Sequence, residues 1–142
     1  MHTPWSTPTP LEEQMRSVPQ QERQKVLVFS PDSDLAKSLS MLLENQFEIV
    51  CETKLENLAK RIGAALPAIM LIDLYAFPSD ILKETQIIRG SRTNIPIILL
   101  RAYRPLSKEV ESAIRDVADL VLYKPLEVNS VAEAIHKLLE AH

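Results

Sequence analysis

The run Ile69-Met70-Leu71-Ile72-Asp73 decides the fold. Four apolar residues end on a carboxylate, with none of the polar alternation of a half-exposed strand. Such a run suits a parallel strand covered on both faces. Working outward, Val26-Leu27-Val28-Phe29 lies upstream and Ile95-Pro96-Ile97-Ile98-Leu99-Leu100 downstream, both nearly all apolar. Phe47-Glu48-Ile49-Val50-Cys51 contains Glu48 and follows Asn45-Gln46, so it reads as an edge strand. Leu120-Val121-Leu122-Tyr123 is short, follows Asp119 and reads as the other edge.

Helical periods separate these runs. Leu35, Leu39, Leu42 and Leu43 share one face; so do Leu55, Leu58, Ala59 and Ile62. Ile81, Leu82, Ile87 and Ile88 form a looser set, followed by Val110, Ala113, Ile114 and Val117, then Val131, Ile135, Leu138 and Leu139. Asp32 or Ser33, Thr53, Ser79 or Asp80, Ser107, and Asn129 or Ser130 are the expected helix caps. Five β-α units with right-handed crossovers predict an α/β fold. It is a five-stranded parallel sheet, doubly wound in the flavodoxin-like manner, with strand order 2-1-3-4-5.

Composition narrows the chemistry. The chain has 142 residues and a formal net charge of -3, with one cysteine and two glycines. The charge opposes a nucleic-acid surface. The single Cys51, expected to be a buried strand residue, excludes an internal disulfide and a cysteine-rich metal site. Gly63 and Gly90 are too few for a glycine-rich phosphate loop. His2, His136 and His142 are scattered, and His136 is expected at a surface or boundary. The longest apolar run holds Pro67 and is too short to span a bilayer. No apolar signal core opens the chain, so a cytoplasmic setting is expected. Residues 1–23 carry Pro4, Pro8, Pro10 and Pro19 and are expected to be a flexible tail. A short helical piece near Leu11 to Arg16 is possible within it, and residues 24–142 form the folded domain.

In doubly wound sheets the functional crevice lies at the carboxyl ends of the strands. There the sequence sets Ser30 and Asp32 after strand one, Asp73 after strand three, Arg101 after strand four and Lys124-Pro125 after strand five. With the five β-α units, Asp73 and Lys124-Pro125 resemble the receiver domain of two-component response regulators, over about residues 25 to 141. The resemblance implies a phosphoryl-accepting aspartate at Asp73 and a phosphate-contacting lysine at Lys124. It also implies a cis bond before Pro125, an acid pair that holds Mg²⁺, a hydroxyl after strand four and an aromatic switch in strand five.

The chain departs from that pattern. The acid pair falls on Ser30 and Pro31, the hydroxyl position on Arg101, and the switch position on Val121. The proline after the aspartate is displaced to Pro78, and the glycine beyond it is Ile81. Phosphoryl transfer relies on positioning and on charge neutralisation by metal. Here one certain carboxylate faces two cations, so no metal cofactor is expected. Asp32 and Asp73 are weak metal candidates, with Mg²⁺ as the alternative. Asp32 is read as an N-cap before it is read as a ligand. Arg101 is expected either to fork onto Asp73, filling the space of a phosphoryl–metal pair, or to extend to solvent.

The expected function is therefore an atypical receiver that signals by protein–protein contact and is not an enzyme. The alternatives are a phosphorylatable receiver at Asp73, and an anion or phosphometabolite module using Arg101 and Lys124. The resemblance places the partner surface, for another protein or a second copy in a homodimer, on the helix 4–strand 5–helix 5 face. Arg104, Lys108, Glu111, Arg115, Asp119, Val121 and Glu127 fall there. Neither nucleic acid nor membrane is an expected partner of this domain. Tyr75 and Phe77 are expected to form an apolar lip or a packed loop.

Overall fold

The computed structural model describes residues 18–91 and 94–141. Five parallel strands form one sheet: β1 (Gln24–Phe29), β2 (Phe47–Glu52), β3 (Ile69–Asp73), β4 (Ile97–Arg101) and β5 (Leu120–Tyr123). Their order is β2-β1-β3-β4-β5, with the two predicted edges at the edges. The helices are α1 (Ser33–Leu43), α2 (Leu58–Ala65), α3 (Pro78–Gly90), α4 (Lys108–Val117) and α5 (Val128–Ala141). Register aligns Phe29 with Ile72, Asp73 with Leu100, and Arg101 with Tyr123. The carboxyl ends of the strands therefore meet along one rim.

Each strand alternates between two buried layers. Val26, Val28, Leu71, Ile98 and Leu100 face α1 and α5, against Leu39, Leu43, Val131 and Ile135. Leu27, Phe29, Ile72 and Leu99 face the other helices, against Leu58, Ile62, Ile81, Ile88, Val110 and Ile114. Continuous apolar strands are what a sheet buried on both faces requires.

Local chemistry sets the helix starts. Asp32 Oδ1 accepts from Asp34 N–H and Leu35 N–H, and Ser107 Oγ accepts from Val110 N–H. Three expected caps differ. Phe77 precedes α3, and Pro78 supplies its first turn with a preset φ. Thr53 does not cap; a 3-10 turn (Leu55–Asn57) leads into α2, and the Glu52 carboxylate accepts from Thr53 N–H and Lys54 N–H at 2.9 Å each. Helix α5 begins at Val128, ahead of Asn129 and Ser130. Two apolar expectations also fail. Leu42 is exposed, because Leu39 and Leu43 already fill the inner stripe of α1. Cys51 is exposed on edge strand β2, with its Sγ 3.8 Å from Ala36 O at the margin of α1.

Of the tail expected over residues 1–23, residues 1–17 lie outside the described residues, while residues 18–23 are held. Val18 N–H donates to Asn45 O at 2.8 Å, Arg23 Nε donates to Val18 O at 2.7 Å, and a 3-10 turn spans Gln20–Glu22.

Candidate functional site

Strand β3 delivers Asp73 to the rim, where it is 2% exposed. Ser30, fully buried after β1, donates from Oγ to Asp73 Oδ2 at 2.7 Å. The same Oγ accepts from Asp32 N–H at 3.0 Å, which fixes the hydroxyl's direction. Lys124, after β5, brings Nζ to 2.6 Å from Asp73 Oδ1, as an ion pair off the angle of a hydrogen bond. The lysine side chain keeps 35% exposure, so its charge stays partly hydrated while the carboxylate is dry. The Lys124-Pro125 bond is cis, as the resemblance implied.

Arg101 is not the plug that the sequence suggested. It is 6% exposed, so it does not reach solvent either. Its guanidinium forks onto Glu111 of α4, with Nη1–Oε2 and Nη2–Oε1 both at 2.8 Å. Nη2 also donates to Arg104 O at 3.1 Å, and the guanidinium lies 5.6 Å from the Tyr123 ring centroid. A bidentate carboxylate one helix turn into α4 is a better geometric match than Asp73, whose two oxygens already have partners. The Glu111 hydrogen bonds hold the Arg101 pKa above its ordinary value; reciprocally, the Arg101 hydrogen bond holds Glu111 below the usual carboxylate range. The rim therefore carries two internally neutral pairs, and the positive surplus expected there is absent.

Val121 is half-buried on β5 and packs among the α3–α4 layer. It fills the switch position with a short branched side chain. The aromatic at this end is Tyr123, 47% exposed, with Tyr103 at 5.0 Å between centroids. Tyr75 packs as a loop residue, 6.2 Å from Phe29, while Phe77 is 69% exposed; only Phe77 fits an apolar lip. His136 occupies the boundary expected of it, with Nε2 2.7 Å from Gln46 Oε1 and its ring 5.0 Å from Phe47.

One rim residue escaped the sequence reading. Glu84 of α3 is fully buried and accepts from Tyr75 N–H through Oε1 at 3.1 Å; Oε2 is buried with no partner. Burial pushes its pKa up to about 8, and the Asp73 and Asp80 charges add to the rise. Glu84 is therefore a neutral acid at pH 7. Its signal was in the sequence: Ile81, Glu84, Thr85 and Ile88 stand at i, i+3, i+4 and i+7, one helix face.

The divalent cation that the resemblance implies does not fit this donor set. Mg²⁺ takes a near-octahedral shell of hard oxygens. Ser30 offers a neutral hydroxyl, Pro31 offers no side-chain donor, Asp32 Oδ1 is used by the start of α1, and both Asp73 oxygens are engaged. Among the described residues, no three His, Cys, Asp or Glu side chains converge.

Comparison with solved structures agrees with this architecture. The receiver domain of the Francisella response regulator 1452 superposes with a TM-score of 0.69 at 21% identity, covering 84% of this chain and 98% of that one. The chain has the receiver fold. A CheY-like receiver domain protein from Methanospirillum hungatei JF-1 gives a TM-score of 0.72 at 18% identity, over 84% of this chain and 96% of its own. A two-component response regulator from Clostridium difficile gives 0.68 at 21%, over 84% and 98%. No protein-family model matches the sequence, and no curated protein does. The receiver fold is thus carried by a sequence only 18–21% identical to these structures. Among the described residues, no helix is long and apolar enough to cross a membrane.

Proposed function

We propose that this chain is a signalling domain of receiver type that acts through protein contact, without a phosphorylation cycle at Asp73 and without enzymatic activity. The observation that carries the reading is the saturation of Asp73. Ser30 Oγ holds one oxygen, Lys124 Nζ the other, and among the described residues no three His, Cys, Asp or Glu side chains converge to hold a metal. An aspartate without a cation to shield an incoming phosphoryl group has little to make it an acceptor. The partner surface is the α4–β5–α5 face. Arg104, Lys108 and Arg115 are exposed there beside the tilted ring pair of Tyr103 and Tyr123, which suits a partner presenting acidic and aromatic groups. Glu111, expected on that face, is drawn back into the Arg101 pair.

The Asp73–Lys124 contact itself favours a second reading, an acceptor that recruits Mg²⁺ and a phosphoryl group. The anion-binding reading loses its support, since Arg101 and Lys124 each already hold a carboxylate. The test is the backbone amide spectrum during titration with Mg²⁺ and a beryllofluoride mimic of the phosphoryl group. The proposal expects no saturable shifts at Ser30, Asp73 or Lys124. Saturable shifts that vanish in Asp73→Asn would establish the second reading instead.

A further inference from the structure

Between α1 and α5 runs an apolar groove that the rim chemistry does not use. Leu35, Leu42, Leu126 and Val128 line one hollow of about 210 Å³. Met41, Leu42, Val128 and Ala132, with the polar Asn45, Gln46 and Asn129 at the margin, line a second of the same size, so the two share Leu42 and Val128. Met41 is 65% exposed, Leu42 48% and Val128 41%. An apolar strip of this kind on a charged surface marks a contact site.

The chain itself leads to it. Val18 is pinned through its N–H to Asn45 O and through its carbonyl to Arg23 Nε, and Asn45 lines the second hollow. Val18, the first described residue, therefore stands at the mouth of the groove. Leu11 and Met15 stand seven and three residues before Val18, the spacing of one helix face. At about 1.5 Å per residue, three helical residues reach about 5 Å from Val18 and seven about 10 Å. A segment tethered this close meets the groove at an effective concentration near the millimolar range, well above that of a free second copy.

We propose that residues 11–17 of the same chain dock into the α1–α5 groove through Leu11 and Met15, so that the N-terminal segment covers this face and competes with any partner for it. The proposal does not depend on whether Asp73 is phosphorylated.

Limited trypsin cleavage of the full chain after Arg16, followed by intact mass, tests it. Leu42→Glu in the groove and Leu11→Asp in the segment should each speed this cleavage about tenfold, with the thermal midpoint of the folded domain checked in parallel. Both positions avoid the core or lie outside the described fold, so the domain should persist. Equal cleavage rates in all three chains would overturn the proposal. So would an effect of Leu42→Glu without one of Leu11→Asp. Protection that disappears on dilution would overturn it too, by assigning the groove to a second copy.

Discussion

At the residue scale, the rim pairs are asymmetric, and the asymmetry is testable. Asp73 is almost fully buried, while Lys124 is about one-third exposed. Removing the lysine strands a dry carboxylate that keeps only the Ser30 hydroxyl; removing the carboxylate frees a lysine that rehydrates. Lys124→Met should therefore cost about 2–4 kcal/mol of unfolding free energy, and Asp73→Asn less than half of that. Equal costs in urea denaturation would contradict the geometry. Glu84 gives the pH dependence. Its folded pKa of about 8 lies above its ordinary value of 4.5, so the native state binds more protons than the unfolded chain between those values. Stability from this group is complete below about pH 4.5 and is lost as pH rises through about 8. Glu84→Gln should match the wild-type thermal midpoint below about pH 4.5 and flatten its decline between about pH 4.5 and 8. An unchanged slope would show that Glu84 is ionised in the fold or in contact with water.

At the element scale, the junctions carry the predictions. Helix α2 ends at Leu66, which is 72% exposed and sits in the left-handed region with φ 46°. An L side chain there costs about 1 kcal/mol that glycine avoids. Leu66→Gly should raise stability by about 0.5–1 kcal/mol in spite of the added freedom of the unfolded chain; a fall would mean that the leucine packs against something. Asp32→Ala should cost about 1 kcal/mol through the lost cap of α1, with or without Mg²⁺. The strands and their order were legible because continuous apolar runs and helical periods are set by burial, a property of many residues at once. Individual side-chain partners were not. Arg101 was expected to fork onto Asp73 or to extend to solvent, whereas α4 packed beside the end of β4 presents Glu111 to it. Glu84 was overlooked because a charged letter was counted as polar surface, although Ile81 and Ile88 bracket it on the buried face.

At the scale of the whole molecule, a receiver fold presents the same rim to solvent whatever residues line it, so function turns on the charge balance there. This rim joins Asp73 to Lys124 and Arg101 to Glu111, and it leaves a neutral Glu84 beneath. On the function proposed above, the state of the domain is set by partners on its faces, not by a charge delivered to its rim. The most direct measurement is intact mass after incubation with acetyl phosphate and Mg²⁺. The account predicts an unmodified chain at every time point. A phospho adduct that is absent in Asp73→Asn would contradict it.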